Sequence, residues 1–419
     1  MSDRPPDPHA HERPPSPGSQ VDDALGSGEV EAAAAATEQM AVAAPTSSKL
    51  AGPGPSAAPT SSKLGGRRRR AVMRSVGHVP PTRGDDRWRA WLARTGSALL
   101  GALALSAALI AAFVGALHQP TPRDVPVGIV RGDAAVETLM AAIQRQTNSL
   151  EAVRYADRDA AANALDRRDV YAVLAANDLP ESVGLALTTA GASSPATRDV
   201  VEATIGDAAS SAEVPLAVTD AVPVSPEDPR GVTPFYLVLG LILGGVLAAS
   251  ALGVALGTVP RDLDRAALRI GALPVFSLLL GLAGALLVGP AFDIWTDSFL
   301  GLTIAGALIA FAAAMVTKAV QGWLGLLGTG LVILLLIVLG LPGSGGLVPP
   351  EFLPTFFRGM HRWNPPGLGV DLVKSVGYFD RKAAGWPVTA LTLWALAGVL
   401  LLLGATAALG RRTATHRGG

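Results

Sequence analysis

The chain has 419 residues, of which 49% are hydrophobic and 16% are charged, and its formal net charge is +0. This low charge, with a mean hydropathy of +0.38, is typical of integral membrane proteins and excludes an ordinary soluble enzyme. The absence of cysteine excludes a disulfide framework, thiolate metal sites and cysteine nucleophiles.

The first part of the chain, residues 1–94, is predicted to be a disordered cytoplasmic tail that ends in a basic juxtamembrane cluster. Residues 1–66 are rich in Pro, Ala, Ser and Gly and contain almost no aromatic residue that would nucleate a core. Arg67–Arg70 and five further arginines up to Arg94 then precede the first apolar run. Basic clusters also occur in nucleic-acid-binding patches, but beside an apolar run such a cluster favours contact with membrane lipid and no nucleic-acid partner.

Six uncharged apolar runs are each about long enough to cross a hydrocarbon core of roughly 30 Å as a helix. They are Thr95–Leu117, Pro234–Thr258, Ile270–Pro290, Ser298–Thr317, Gly322–Pro342 and Pro387–Leu409. The even number puts both termini on one side, and the basic residues of the loop 259–269, Lys318 and the tail 411–419 favour the cytoplasm for that side. The loop 343–386 argues against this topology, because it would lie outside and yet carries five basic residues.

The fold class predicted from these runs is an α-helical integral membrane protein with about six transmembrane helices, the last five forming a bundle over 234–410. Its location would be a plasma membrane, and the bias toward Ala, Gly and Arg suggests a bacterial source. In the second run, Gly240 and Gly244, like Gly253 and Gly257, are four residues apart, so helices can approach closely there. Packing within one bundle and a homodimer interface are both compatible with this spacing.

An α/β domain outside the cytoplasm is predicted between the first two runs, over 118–233, where the composition is that of a soluble protein. Val125–Val130 reads as a strand, and 134–148 carries apolar residues at helical spacing. The remaining expected elements are strands near 153–156, 170–175 and 183–189, a helix at 157–168 capped by Asp157, a helix at 195–211, and an extended return at 214–224.

The proline-broken loop 343–386 contains a candidate interfacial or re-entrant helix. Phe352, Phe356, Met360 and Trp363 stand at i, i+4, i+8 and i+11, which predicts one apolar helical face. Pro365 stops this helix. A re-entrant hairpin and a loop that rests on the lipid surface are the two alternatives.

Motifs of catalytic and cofactor sites are absent from the sequence. There is no GxxxxGK[ST] phosphate-binding loop, no HExxH and no GxSxG, and the six histidines are scattered. We therefore expect no catalytic residue, no cofactor, no metal ligand and no enzymatic activity. The predicted spans also contain no ionisable residue at mid-depth, which disfavours proton- or sodium-coupled transport.

The order of one span, an α/β domain and five further spans resembles the type-2 ABC exporter permeases, especially the branch that includes the phage infection protein family. Local similarity lies in VPVGIVRGDAA at Val125–Ala135, in DRDAAANALDRRDVYAVLAANDLPESV at Asp157–Val183, and in the loop segment Phe352–Phe379. The resemblance implies the membrane-spanning permease subunit of an exporter, acting as a homodimer or half-transporter with a separate ATPase.

The resemblance also implies that the short loop 259–269 docks on this ATPase. Its contacts would be Arg261, Asp262, Asp264 and Arg265. A solvated connector anchored by its charges is the plain alternative for this loop. For the whole chain, the alternative is a non-transporting envelope protein or receptor whose outer domain binds a partner. The sequence leaves the transported substrate open.

Overall fold

The computed structural model describes residues 84–177, 184–258, 263–325 and 327–415. A five-stranded α/β domain and a bundle of long helices share this region. The first long helix, α1 (Gly84–Leu117), leads into the domain, and the chain returns to the bundle at α5 (Thr233–Leu256). The domain therefore stands between the first and second long helices of the chain.

The predicted tails 1–94 and 411–419 both overlap with helices of the structure. Helix α1 begins at Gly84. Residues 84–94, which are predicted to belong to the disordered tail, are therefore helical. The sequence between Gly84 and Leu117 is rich in Ala, Leu and Arg and has no proline to interrupt it. Residues 1–83, with Arg67–Arg70, lie outside the described part. At the other end the last helix continues to Thr415, past the predicted boundary at 411.

The α/β domain contains a mixed sheet with three helices. Its elements are β1 (Val125–Val130), α2 (Ala134–Gln146), β2 (Leu150–Tyr155), α3 (Arg158–Asp166), β3 (Ala172–Asn177), β4 (Gly184–Thr189), α4 (Pro195–Ser211) and β5 (Leu216–Asp220). The strand order is β2-β1-β3-β4-β5, with β4 antiparallel to β3 and every other neighbouring pair parallel. Two helices begin at side-chain caps, because Asp133 accepts from Val136 N at 3.2 Å and Asp157 accepts from Ala160 N at 2.8 Å.

The core of this domain is completed by two aromatic residues from a distant part of the chain. Phe352 is 7% exposed and packs with the strands and helices α2 and α4. Phe379 is 3% exposed and packs in a second cluster around α3. The segment between these two phenylalanines is therefore part of the domain's interior as well as a connection between bundle helices.

The bundle is built around α7. Its elements after α5 are α6 (Leu263–Leu286) with a π-helical turn Leu287–Ala291, α7 (Phe299–Leu324), α8 (Leu327–Val332) with a π-helix Ile333–Leu339, α9 (Thr355–His361), α10 (Pro365–Tyr378) and α11 (Gly385–Thr415). Helix α7 packs against α5, α6, α10 and α11. Half of its sixteen buried residues are small, six alanines and two glycines, which lets all four neighbours come close.

Two glycines permit the closest helix contacts. A methyl group at Gly245 of α5 would overlap the carbonyl oxygen of Ala310, and one at Gly281 of α6 would overlap the carbonyl oxygen of Thr303. A methyl group at Gly240 would meet no atom within 4 Å, so the predicted Gly240 and Gly244 pair does not act as one surface. Packing within one chain thus accounts for Gly244 and Gly245 of this helix.

Five helices of the described region, not six, are long and apolar enough to cross a membrane. They are Trp91–Leu117, Thr233–Leu256, Asp264–Ala291, Thr296–Leu324 and Gly385–Leu409. The predicted span Gly322–Pro342 is wrong in both its limits and its length. Helix α7 extends to Leu324 and ends at Gly325, whose φ of 62° is a left-handed conformation that glycine adopts readily. The apolar helix after it covers only Leu327–Leu339.

The short segment Leu327–Leu339 nevertheless runs from one end of the bundle toward the other. Near its start, Thr329 accepts a hydrogen bond from Gln321 Nε2 of α7 at 2.9 Å. Near its end, Val338 packs with Ala112 and Ala116 of α1, close to where the domain begins. At about 1.5 Å per residue this segment is roughly 20 Å long, too short to cross a bilayer core unaided.

Candidate functional site

The most polar buried region of the described chain lies where the domain meets helices α9 and α10. Arg168, in the turn after α3, forms an ion pair with Asp371 of α10, with 3.1 Å between Nη2 and Oδ1. His361, the last residue of α9, places Nε2 at 3.0 Å from the other carboxylate oxygen of Asp371. Burial alone would raise the pKa of Asp371, but His361 and Arg168 reverse this effect and hold the pKa well below its usual range.

A buried lysine lies one helical turn beyond Asp371. Lys374 Nζ donates to the carbonyl oxygen of Ser193 in the domain at 2.8 Å. Burial, with a further contribution from the positive charge of Arg168, lowers the pKa of Lys374 to about 7. The side chain therefore changes its charge near neutral pH.

A third contact joins the domain to the segment before α9. Tyr171 donates its hydroxyl hydrogen to Glu351 Oε2 at 2.7 Å. Burial and the neighbouring carboxylate raise the pKa of Tyr171 well above its usual range, so the phenol stays neutral. Together with the two preceding contacts it joins the domain to the α9–α10 segment through polar groups that are buried or partly buried.

The local sequence explains why α10 begins where it does. Asn364 caps the helix by accepting from Gly367 N at 2.6 Å, and Pro365 and Pro366 occupy its first turn, where no backbone donor is needed. A methyl group at Gly367 would overlap the carbonyl oxygen of His361. The asparagine, the prolines and the glycine thus bring His361 and Asp371 together across the break between α9 and α10.

A cavity of about 570 Å³, here called the junction cavity, opens beside these contacts. Its ionisable lining consists of six Arg or Lys residues, one histidine, one tyrosine and three acidic residues. They are Arg167, Arg168, Arg358, Arg362, Lys374, Lys382, His361, Tyr171, Asp169, Glu351 and Asp371. Three of the basic residues have acidic partners, Arg168 with Asp371, Arg358 with Asp124 and Lys382 with Asp166. The charged lining that remains is Arg167, Arg362 and Lys374 against Asp169 and Glu351, a small excess of positive charge that suits an anion.

The four residues of the predicted helical face do not share one face. Phe352 belongs to a short 3₁₀ turn and is buried in the domain core, because Pro354 separates it from α9, which begins at Thr355. Phe356 and Trp363 are 61% and 63% exposed. Met360 is half-buried. Whether α9 lies in or on a membrane stays a prediction.

The predicted docking loop is described only in part. Arg261 and Asp262 lie outside the described residues. Asp264 and Arg265 are exposed in the first turn of α6. Arg269, one turn further, is 3% exposed and donates to the carbonyl oxygens of Leu256 and Gly257 at 2.5 and 2.8 Å. This arginine therefore caps the carboxyl end of α5.

A buried lysine lies near the carboxyl end of α7, outside the mid-depth region that the sequence predicts to be free of ionisable residues. The sequence places Lys318 just beyond the fourth predicted span, but its side chain is 0% exposed. Its Nζ lies 3.4 Å from Ala249 O and 3.3 Å from Gln321 Oε1. Gln321 in turn donates to Ser250 Oγ at 3.2 Å. A polar residue three positions after the lysine, in a stretch that is otherwise apolar, is the signal that would have suggested burial.

Among residues 84–177, 184–258, 263–325 and 327–415, no group of three or more His, Asp or Glu side chains is arranged to hold a metal ion. Comparison of the chain with protein-family models, with curated proteins and with solved structures finds no match.

Proposed function

We propose that the chain is the membrane-spanning permease subunit of an ABC-type exporter that works with a separate ATPase. In this proposal the short segment Leu327–Leu339 makes a sixth crossing inside the bundle. Both termini and the loop 259–269 are then cytoplasmic, and the α/β domain lies on the outer side. The observation that carries it is that α5 is fixed at both ends by buried charged side chains, so that this one helix connects the domain with the loop.

At the domain end of α5 the fixing residue is Asp228. Its side chain is buried and accepts from the backbone amides of Val232 at 3.1 Å and Thr233 at 2.8 Å. The carboxylate therefore satisfies donors at the start of the helix and interacts favourably with the helix dipole.

At the loop end the fixing residue is Arg269, whose guanidinium binds the carbonyl oxygens of Leu256 and Gly257. Because Arg269 belongs to α6, a displacement of the start of α6 also displaces the end of α5. Gly245 holds α5 against α7 between these ends. This arrangement is suited to transmit a movement of the loop 259–269 to the domain and the junction cavity.

The test is a native pull-down of the full chain in mild detergent, followed by measurement of ATP hydrolysis. We expect an ATPase to co-purify and its hydrolysis to be stimulated by the chain. Arg265→Glu should abolish the stimulation, because it reverses an exposed charge in the loop region. Arg145→Glu, an exposed change in domain helix α2, is the matched control and should preserve it. The absence of an ATPase partner, or full stimulation by the Arg265 variant, would disprove the proposal.

The second candidate function is a non-transporting envelope protein whose domain binds a partner. A groove of about 750 Å³ between domain helices α2 and α4 favours it, because its lining is mostly apolar and includes Leu139 and Ile143. Thr138→Trp would fill this groove, whereas Ala141→Trp on the same helix lies outside its lining. If this candidate is correct, cross-linking of a partner is lost only in the Thr138 variant and Arg265→Glu has no effect.

A further inference from the structure

A polar cavity and an apolar groove both have Trp386 in their lining. One is the junction cavity, whose lining includes Arg362, Trp386 and Pro387 near the start of α11. The other is a groove of about 290 Å³ lined by Trp363, Trp386, Ala390, Leu393, Trp394 and Ala397, here called the tryptophan groove. Because Trp386 lines both, a single elongated molecule can occupy the cavity at one end and the groove at the other.

The tryptophan groove is apolar although it contains three indole rings. Trp386 Nε1 donates to Arg362 O at 3.1 Å, and Trp394 Nε1 donates to Trp363 O at 2.8 Å. Trp363 and Trp386 meet edge to face, with 5.1 Å between their ring centroids. Since both of these indole N–H groups are bonded to backbone carbonyls, the rings offer carbon surface to the groove, and a hydrocarbon chain is its natural complement.

The junction cavity supplies the opposite chemistry. Six Arg or Lys residues line it, of which Arg168, Arg358 and Lys382 have acidic partners, and the others outnumber the remaining acidic residues of the lining. Arg362 is exposed at the end nearest the groove, and its own carbonyl oxygen accepts from Trp386. A guanidinium in this place binds a phosphate through charge-assisted hydrogen bonds.

The position of the groove indicates that its occupant is a membrane lipid. The groove lies along α11, one of the five helices that are long and apolar enough to cross a membrane. Trp386, Trp394 and Trp363 are all exposed on this side, as aromatic residues are at a boundary between hydrocarbon and water. A lipid in the surrounding bilayer can therefore enter the groove sideways while its headgroup reaches Arg362.

We propose that the junction cavity and the tryptophan groove together form a binding site for an anionic phospholipid. The phosphate-bearing headgroup contacts Arg362 at the mouth of the cavity, and one acyl chain lies in the groove beside Ala390 and Ala397. The site requires that the chain lies in a membrane, but it does not require the chain to transport, so it goes beyond the proposed function.

The experiment uses the purified full chain in detergent and measures lipid binding by native mass spectrometry. The probes are phosphatidylglycerol and phosphatidylcholine with identical acyl chains. Both lipids carry a phosphate, but the choline ammonium of phosphatidylcholine offsets its negative charge, so we expect phosphatidylglycerol to bind about tenfold more tightly. Equal retention of the two lipids would overturn the proposal.

Two variants test the two halves of the site separately. Arg362→Gln should weaken phosphatidylglycerol binding about tenfold and phosphatidylcholine binding by less, because the choline ammonium already offsets the charge of that phosphate. Ala397→Trp fills the groove and should weaken both lipids. The controls are Arg145→Gln in the domain and Leu400→Trp, an exposed position of α11 outside the groove lining. Both Arg362 and Ala397 are exposed, and a thermal unfolding curve for each variant verifies that it is folded.

Inorganic phosphate distinguishes a lipid from a free anion. If the site binds lipid, millimolar phosphate competes weakly, and Ala397→Trp reduces phosphatidylglycerol binding. If phosphate displaces the lipid fully and Ala397→Trp has no effect on phosphatidylglycerol, the cavity binds only free anions and the proposal is wrong. Unchanged lipid binding in Arg362→Gln would overturn it as well.

Discussion

Arg168 and Asp371 form an ion pair of 3.1 Å although 203 residues separate them in the chain. The backbone of Arg168 has a φ of 61°, a left-handed conformation that is uncommon outside glycine. This turn after α3 points the guanidinium of Arg168 at α10. The domain and the bundle are thus joined by a specific, partly buried contact in addition to their two covalent connections.

Removing the carboxylate from this pair should be costly. Asp371→Asn leaves Arg168 without its carboxylate partner and Lys374 without a neighbouring negative charge, and we expect the free energy of unfolding to fall by about 1–3 kcal/mol, since the pair is partly buried. Chemical unfolding of the purified chain in detergent measures this change. Asp199→Asn, which breaks the more exposed pair between Arg198 and Asp199, should cost less than about 1 kcal/mol. Equal losses in the two variants would show that the junction pair does not stabilise the fold.

The buried amino group of Lys374 should make stability depend on pH. The unfolded chain keeps this proton up to its ordinary pKa of 10.5, whereas the folded chain releases it near pH 7. The unfolded state therefore binds more protons between these values, and stability rises with pH through this range by about 1 kcal/mol per pH unit. Chemical unfolding between about pH 7 and pH 9 should show this rise in the natural chain and a smaller one in Lys374→Met. Parallel curves would contradict the burial of Lys374.

Local features of the domain were predictable from the sequence, and its distant contacts were not. Asp157 caps α3 and Pro195 begins α4 as predicted, because capping and proline preferences depend on neighbours within one helical turn. The spacing of Phe352 alone predicts a helical face. Its actual neighbours in the domain core are far away in the sequence, and the spacing of apolar residues gives no information about such a contact.

The fourth predicted span ends too early, before Lys318, for the same reason. A lysine at the end of an apolar run is ordinarily a membrane-edge residue, so the fourth predicted span ends before it. Its burial depends on Ala249 of α5 and Gln321 of α7, which close around it only in the folded bundle. The junction cavity escapes prediction from the sequence for a comparable reason, since its basic residues come from three separate segments.

The two glycines Gly245 and Gly240 of α5 should respond oppositely to alanine. Gly245→Ala places a methyl group on the carbonyl oxygen of Ala310 and should separate α5 from α7, with a loss of about 1–3 kcal/mol in stability. Gly240→Ala meets nothing within 4 Å and should gain up to about 1 kcal/mol from helix propensity. Thermal unfolding of the two variants and the natural chain in one detergent measures these opposite changes in stability. A similar loss in both would show that the face of Gly240 is also packed.

The Lys318 cluster should show coupling between its members. Gln321→Leu removes one of the two acceptors of Lys318 Nζ and should cost about 1–3 kcal/mol, because the buried amino group keeps only the carbonyl of Ala249. Adding Lys318→Met to this variant removes the amino group itself and should recover part of the loss. The two single variants and the double variant form a cycle measured by chemical unfolding. Strictly additive changes would mean that the two side chains do not interact.

The domain core contains residues that the ribosome adds late. Tyr171 and its partner Glu351 are 180 residues apart, and Phe352 and Phe379 follow in the same late segment. During synthesis the sheet must therefore leave two sides of its interior open until α5, α6 and α7 have been made. Completion of the domain then coincides with assembly of the bundle, so an incompletely assembled chain exposes an apolar surface that cellular quality control can recognise. A fragment limited to the α/β domain would carry the same exposed surface.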